Sequence, residues 1–333
     1  MTEGRGNDKG DLMSKYYYKN SASIKTLKKR AEILARIREF FAKRNVLEVE
    51  TQALSHATVT DPHIKSISAD FQNFGSSEKQ TLYLQTSPEY AMKRLLVRGS
   101  GSIYQICKAY RQGEIGKQHQ PEFTMLEWYR VGFNHHDLMD EMSEFFQEVL
   151  SISNTERKTY LDVFTQYLNI NPHTASAKDL STIAKSKGLS IEGEYDKNTW
   201  LDVLFSKHIE PNLGVSSPVF VYDYPDSMAA LAKVRHEKYK LASRFEVYFR
   251  GVELANGFHE LQDAMEQRAR FKKDLEYRKK SNLENLDIDE HFLNDLEQGL
   301  PDCAGVALGV DRLIMLALSY DKISDVVCFE FCS

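Results

Sequence analysis

Cysteine is scarce: 333 residues hold four, Cys107, Cys303, Cys328 and Cys332, and none forms a C-x-x-C pair. A disulfide framework and the usual structural zinc motifs are therefore not expected. Long apolar runs are also missing, since stretches such as 306–308 and 314–318 fall far short of the ~20 residues a membrane helix needs. No membrane span is expected. Residues 1–20 are polar and lack the apolar stretch of a secretory signal, so the cytoplasm is the expected compartment. Nor is there an excess of positive charge: 43 Lys and Arg stand against 48 Asp and Glu, a net of −5, which argues against wholesale nucleic-acid binding. What is present is an ordinary globular composition, 42% hydrophobic and 27% charged, which excludes disorder as the main state. The length alone allows about two domains. Charge is unevenly spread, because residues 1–44 carry 12 basic and 5 acidic residues while the remainder is net negative. Solvated helix surface is the simplest account of such a run.

Leu27, Ala31, Leu34, Ile37 and Phe41 recur at helical steps after a cap at Ser21 or Ser23, which predicts an amphipathic helix ending near Arg44. Short strands are expected at 47–50 and 83–86, then a helix over 89–97 with Pro88 at its start. The runs 103–110 and 123–129, separated by a polar loop, predict an antiparallel hairpin. Residues 135–210 read as mostly helical, with helices over 135–150, 161–168 and 199–209. Strands return at 219–222 and 245–253, followed by a charged helix over about 260–280, an acidic segment and an apolar helix over 310–318. Strands this closely joined leave no room for βαβ crossovers, so the fold class expected is α+β with a mostly antiparallel sheet.

Four constellations could carry chemistry. Gly305-Val-Ala-Leu-Gly309-Val-Asp-Arg312 is a glycine-punctuated turn into a helix, where backbone can approach a nucleotide and Arg312 can cover a base or grip phosphate. It lacks the dinucleotide-binding spacing. Arg111, Glu114, His119 and Phe123 around the hairpin loop suit a triphosphate and a purine ring, though cross-strand surface pairs would look the same. Glu253 and Glu260, bridged by Asn256 and Gly257, could converge on a hard cation if the glycine bends the chain. Ser87 and Glu89, beside Pro88, could offer a hydroxyl and a carboxylate to an amine or serve as helix caps.

In this order, these elements resemble the catalytic core of class II aminoacyl-tRNA synthetases, lysyl branch. Motif 1 resembles the first helix plus Val46-Leu-Glu-Val-Glu-Thr51; motif 2 resembles Tyr110-Arg-Gln-Gly-Glu114 with His119-Gln-Pro-Glu-Phe-Thr-Met-Leu-Glu-Trp-Tyr129; motif 3 resembles Gly305 to Leu313. About 20 residues precede the motif 1 helix, so no anticodon-reading module, and no tRNA, is expected. The stretches 123–130, 243–251 and 301–312 are most similar to the freestanding elongation factor P (R)-β-lysine ligase family. The organisation expected is a basic tail over 1–20 and one catalytic domain over 21–333.

The resemblance implies ATP and Mg2+, (R)-β-lysine and elongation factor P as substrates, and a homodimer built on motif 1. It implies that Arg111 holds the α-phosphate and the amino-acid carboxylate, that Phe123 and Arg312 sandwich adenine, and that His119 lies near the outer phosphates. Gln112, Gly113, Glu114, Gln120, Leu254 and Gly309 would complete the ATP site; Glu253 and Glu260 would carry magnesium. Ser87, Pro88, Glu89, Tyr129, Asn256, Glu260 and Ala307 would face the amino acid. The chain departs from the family pattern at Gly113, where glutamate is usual, at Gln120 for asparagine and at Gln52 for proline. Ala307 stands where lysyl-tRNA synthetases typically have glycine, and its methyl group is expected to favour β-lysine over α-lysine. Alternatives are a lysyl-tRNA synthetase-like or asparagine synthetase-like ligase, and a catalytically dead paralogue serving as a binding module.

Overall fold

The computed structural model describes residues 19–20, 22–189, 193 and 195–331. Residues 1–18 of the expected tail, the alternative cap Ser21, and Cys332 lie outside the described residues. Ser23 caps α1 (Ile24–Lys43), accepting from the Thr26 amide at 3.1 Å. Of the expected stripe Ile37 and Phe41 are buried, Leu27 and Leu34 half-buried and Ala31 exposed; Ile33 and Phe40 complete the buried face, and Arg36 and Arg38 between them face outward.

The described strands are β1 (Lys19–Asn20), β2 (Leu47–Glu48), β3 (Leu54–Ser55), β4 (Ser68–Gln72), β5 (Lys79–Leu84), β6 (Ile103–Tyr110), β7 (Glu122–Val131), β8 (Glu156–Thr159), β9 (Val219–Pro225), β10 (Val234–His236), β11 (Lys240–Phe249), β12 (Val252–His259), β13 (Cys303–Gly309) and β14 (Phe329–Glu330). The further α-helices are α2 (Glu89–Val97), α3 (His135–Leu150), α4 (Tyr160–Leu168), α5 (Ala177–Ser186), α6 (Lys197–Leu204), α7 (Ala264–Lys280), α8 (Glu290–Glu297) and α9 (Val310–Ala317).

A mixed nine-stranded sheet runs β2-β6-β7-β13-β12-β11-β9-β8, with β10 paired to β11. Its β2–β6 and β8–β9 pairs are parallel and the central pairs antiparallel, as the closely spaced strands predict. Alternation along β7 divides the two faces. Leu126 and Trp128 point into a core with Phe40 and Phe41 of α1 and Phe145 and Phe146 of α3. Phe123, Met125, Glu127 and Tyr129 line the cavity instead. Each fully buried aromatic in this layer contributes on the order of 2 kcal/mol of transfer free energy. Helices α1, α3 and α9 thus cover one face of the sheet, and the other carries the site beside a third core in which α2, α7 and α8 pack on Ile103, Tyr129 and Cys303. Residues of α4 to α6 pack a second core on Val219, Val221 and Tyr224 of β9, whose Phe220 serves the first.

Asp311 of α9 joins α1 and β7. Its carboxylate pairs with Arg30 of α1 at 2.6 Å and accepts from the Thr124 amide of β7 at 2.7 Å, and Arg30 also donates to Thr124 Oγ1 at 2.9 Å.

The expected strand over 245–253 is instead a hairpin, β11 and β12, turning through Arg250 and Gly251, both at positive φ. Two such residues make a type I′ turn, whose twist suits paired strands. Consequently the expected loop between Glu253 and Glu260 is strand. Gly257 does not bend the chain; it pairs with Phe245 and Val306, and a Cβ there would lie 2.4 Å from the Phe245 ring. The helix expected from residue 260 starts at Ala264, capped by Asp263. The helix expected over 199–209 runs over Lys197–Leu204, followed by a π-helical turn at Phe205–Ile209. Among helix-rich residues 135–210, β8 and α5 were not expected.

Candidate active site

A cavity of about 1100 Å³ opens on the face of the sheet opposite α1 and α3. Its floor comes from β7, β12 and β13, and its walls from the 59–64 loop, the start of α2, the 111–120 loop and α7. Asp196, Asn198, Thr199 and Asp202 extend it under the helical insertion.

At one end lie the arginines. Arg312 donates to the Glu253 carbonyl at 2.9 Å, to the Gln118 carbonyl at 3.3 Å and to His119 Nε2 at 2.6 Å. Burial and the adjacent Arg312 lower the His119 pKa, so the ring is neutral at physiological pH and free to accept that bond. Arg111 stands over the Phe123 ring at 5.1 Å, and its buried Nε has no partner. A guanidinium held this way is ready for an anion.

At the other end is an acidic nest, in which the expected Glu89 and Glu260 are joined by Lys93 and Glu127, neither of which was expected. Lys93, 1% exposed, lies 2.6 Å from both Glu89 and Glu260. Burial alone would lower its pKa, but Glu260 and Glu89 outweigh it and hold the ammonium charged. Glu260 is pushed up to about 8 by burial, against the opposing pull of Lys93. Glu127 is raised by burial and then by Glu89. The Tyr129 hydroxyl donates to Glu127 Oε1 at 2.6 Å, while Glu127 Oε2 and Asn256 Oδ1 are buried without partners. Unsatisfied buried acceptors facing a cavity suit a ligand rich in N–H donors.

Local geometry explains how these side chains converge. Between β11 and β12 the pairing steps from Val247–Ala255 to Tyr248–Glu253, leaving Leu254 as an extra residue. Glu253, Asn256, Phe258 and Glu260 all line the cavity. Gly305 makes room beside them, since a Cβ there would lie 2.3 Å from the Tyr129 ring and 2.6 Å from Glu260 Oε1. Ala307 pairs with Asn256 and Glu127 and adds its methyl group to the floor.

Of the expected site residues, Arg111, Glu114, His119, Gln120, Phe123, Glu253, Leu254, Gly309 and Arg312 line the cavity, as do Ser87, Glu89, Tyr129, Asn256, Glu260 and Ala307. Gln112 and Gly113 are exposed in the hairpin loop and do not line it; Pro88 sits at the N-terminus of α2 behind the wall. Gln120 is held by accepting from the Phe331 amide at 2.9 Å.

Glu253 and Glu260 do not converge as expected. Seven residues of extended chain separate them by roughly 20 Å, too far for one cation. Glu253 has other acidic neighbours. Desolvation and then Glu246 raise its pKa, although 40% of the side chain stays accessible. Glu210 is pushed up to about 7 by burial, Glu253 and Glu246. Glu246 itself accepts from Arg244, Tyr248 and Tyr224. No group of three or more His, Cys, Asp or Glu able to hold a metal alone is found among the described residues.

The class II tRNA synthetase family (D, K and N) matches residues 13–331. Elongation factor P–(R)-beta-lysine ligases of Vibrio atlanticus and Vibrio cholerae are 53% and 54% identical over 313 residues, covering 93% of this chain and 97% of each relative. That of Pseudoalteromonas translucida is 49% identical over 96% of this chain and 99% of its own. The chain belongs to the elongation factor P–(R)-β-lysine ligase family. Within this class II family, the cavity ends map onto motifs 2 and 3 for the arginines, and onto the α2 start and the end of β12 for the acidic nest. No helix among the described residues is long and apolar enough to cross a membrane.

Proposed function

We propose that this chain activates (R)-β-lysine with ATP as an aminoacyl-adenylate and transfers it to the ε-amino group of a lysine of elongation factor P. The carrying observation is the acidic nest. Glu89, Glu127 and Glu260 outnumber the one resident ammonium of Lys93, so once incoming ammonium groups displace the protons that burial favours on Glu127 and Glu260, the cluster is two charges negative and complements the two ammonium groups of a diamino acid. Aspartate would find the wrong sign there. The similarity to elongation factor P–(R)-beta-lysine ligases agrees with this reading.

In this mechanism the substrate carboxylate lies beside Arg111, between the nest and the nucleotide, and attacks the α-phosphorus in line. Arg111 balances charge on the pentacovalent phosphorus. Phe123 and Arg312 hold adenine, and neutral His119, already tied to Arg312, adds no charge near the outer phosphates. Glu114, Gln120 and the backbone of Leu254 and Gly309 complete the nucleotide wall; the exposed Gln112 and Gly113 would reach ATP through the hairpin loop. Magnesium fits Glu253, because a hard cation wants one or two carboxylates plus phosphate oxygens and acidic neighbours crowd this end. It would neutralise the pyrophosphate leaving group. A neutral lysine amine of the acceptor then attacks the adenylate carbonyl and AMP leaves. Positioning and charge neutralisation supply the acceleration, with no nucleophilic side chain.

We further propose a cytoplasmic homodimer. Leu47 on β2 and Leu54 and Phe71 on the three-stranded β3-β5-β4 sheet are 55%, 45% and 42% exposed, apolar side chains that a second copy could cover. ATP–pyrophosphate exchange tests the activation step. Exchange should be supported by (R)-β-lysine above α-lysine and aspartate; no exchange with any of them would support a dead paralogue.

A further inference from the structure

Lys93 presents a puzzle of charge. A lysine on an amphipathic helix normally extends its ammonium to water, yet this one is 1% exposed and turns inward between two carboxylates. Its neighbours come from four elements: Glu89 from its own helix α2, Glu127 and Tyr129 from β7, Glu260 at the end of β12, and Cys303 from β13, whose thiol burial and Glu260 push up. Salt-bridge distance is reached with Glu89 and Glu260, while Glu127 keeps one buried oxygen free. The two paired carboxylates belong to separate elements and would repel each other without a cation between them.

We propose that Lys93 is the positioning residue of the amino-acid pocket: its ammonium holds Glu89 and Glu260 together as a prebuilt receptor and fixes the pocket charge at the value that a doubly protonated diamino acid neutralises. This rests on the proposed activation of a diamino acid. Lys93 does not touch the reacting atoms. It acts through the two carboxylates, leaving Glu127 Oε2 and Asn256 Oδ1 as unfilled acceptors for the incoming amines. Removing the ammonium makes Glu89 and Glu260 share a proton, so their ionisation, and amino-acid capture with it, moves to higher pH.

The test is the pH profile of ATP–pyrophosphate exchange with (R)-β-lysine in the wild type, Lys93→Met, Lys93→Gln and Lys93→Arg. Both neutral variants should raise the amino-acid KM at least tenfold at neutral pH, leave the KM for ATP unchanged, and shift the acid limb of kcat/KM upward by about one pH unit or more. Lys93→Arg should keep the limb in place. An unchanged limb in Lys93→Met or Lys93→Gln overturns the proposal, and so does parallel loss of ATP and amino-acid binding in both, which would make Lys93 a purely structural residue. Absence of exchange by the wild type with any diamino acid would instead overturn the proposed activation itself.

Discussion

The Asp311 carboxylate meets the Arg30 guanidinium at 2.6 Å with side-chain exposures of 3% and 15%, and the same carboxylate accepts from the Thr124 amide. One buried group thereby fixes α1, β7 and α9 relative to one another. Removing one partner of a buried pair leaves an uncompensated charge, which costs about 3 to 5 kcal/mol. Asp311→Ala should lower the urea midpoint accordingly, and Asp311→Asn should lose less because its amide oxygen can still accept from Thr124. Equal, negligible changes in both variants would contradict this role.

Gly305 faces Tyr129 and Glu260 so closely that a methyl group has no place. Gly305→Ala should therefore displace the amino-acid wall and raise the KM for (R)-β-lysine by an order of magnitude or more, with the KM for ATP little changed. Overpacking of this kind typically costs about 1 to 3 kcal/mol. Steady-state exchange kinetics with each substrate varied in turn will separate the two constants.

Ala307 lies between Asn256 and Glu127 on the cavity floor. Ala307→Gly should improve α-lysine relative to (R)-β-lysine by roughly 10- to 200-fold in kcat/KM, the usual worth of one methyl-sized change in a pocket. An unchanged ratio would remove Ala307 from the specificity argument.

Two raised carboxyls, Glu127 and Glu260, make the ligand-free protein bind more protons than its unfolded chain between about pH 4.5 and 8. Stability from these groups is fully present below the unfolded value and is lost as pH rises through the folded one. The melting temperature of the free enzyme should carry a declining component across that window. Glu127→Gln should flatten it, as thermal melts at a series of pH values would show.

Much of this architecture is legible in the chain because its signals are local. The apolar stripe of α1 and the two β-rich runs that became β6 and β7 each announce an element directly. The β11–β12 hairpin is hidden because Arg250 occupies a left-handed turn position where Asn, Asp or Gly is the usual marker. Lys93 and Glu127 are hidden for another reason. A lysine on a helix and a glutamate on an alternating strand both read as solvent-facing, and the tertiary pairing that buries them joins residues far apart in sequence. The arginine end was readable because Arg111 follows a strand into a polar loop and Arg312 opens a helix behind a glycine-punctuated strand. The spacing of Glu253 and Glu260 misled, since equal sequence separation means convergence in a bend and roughly 20 Å in a strand.

The most direct measurement is mass analysis of elongation factor P incubated with this enzyme, ATP, magnesium and (R)-β-lysine. A single lysine of elongation factor P should carry one added β-lysyl group, absent without ATP and lost with Arg111→Ala. An unmodified factor, with tRNA charged instead, would contradict it.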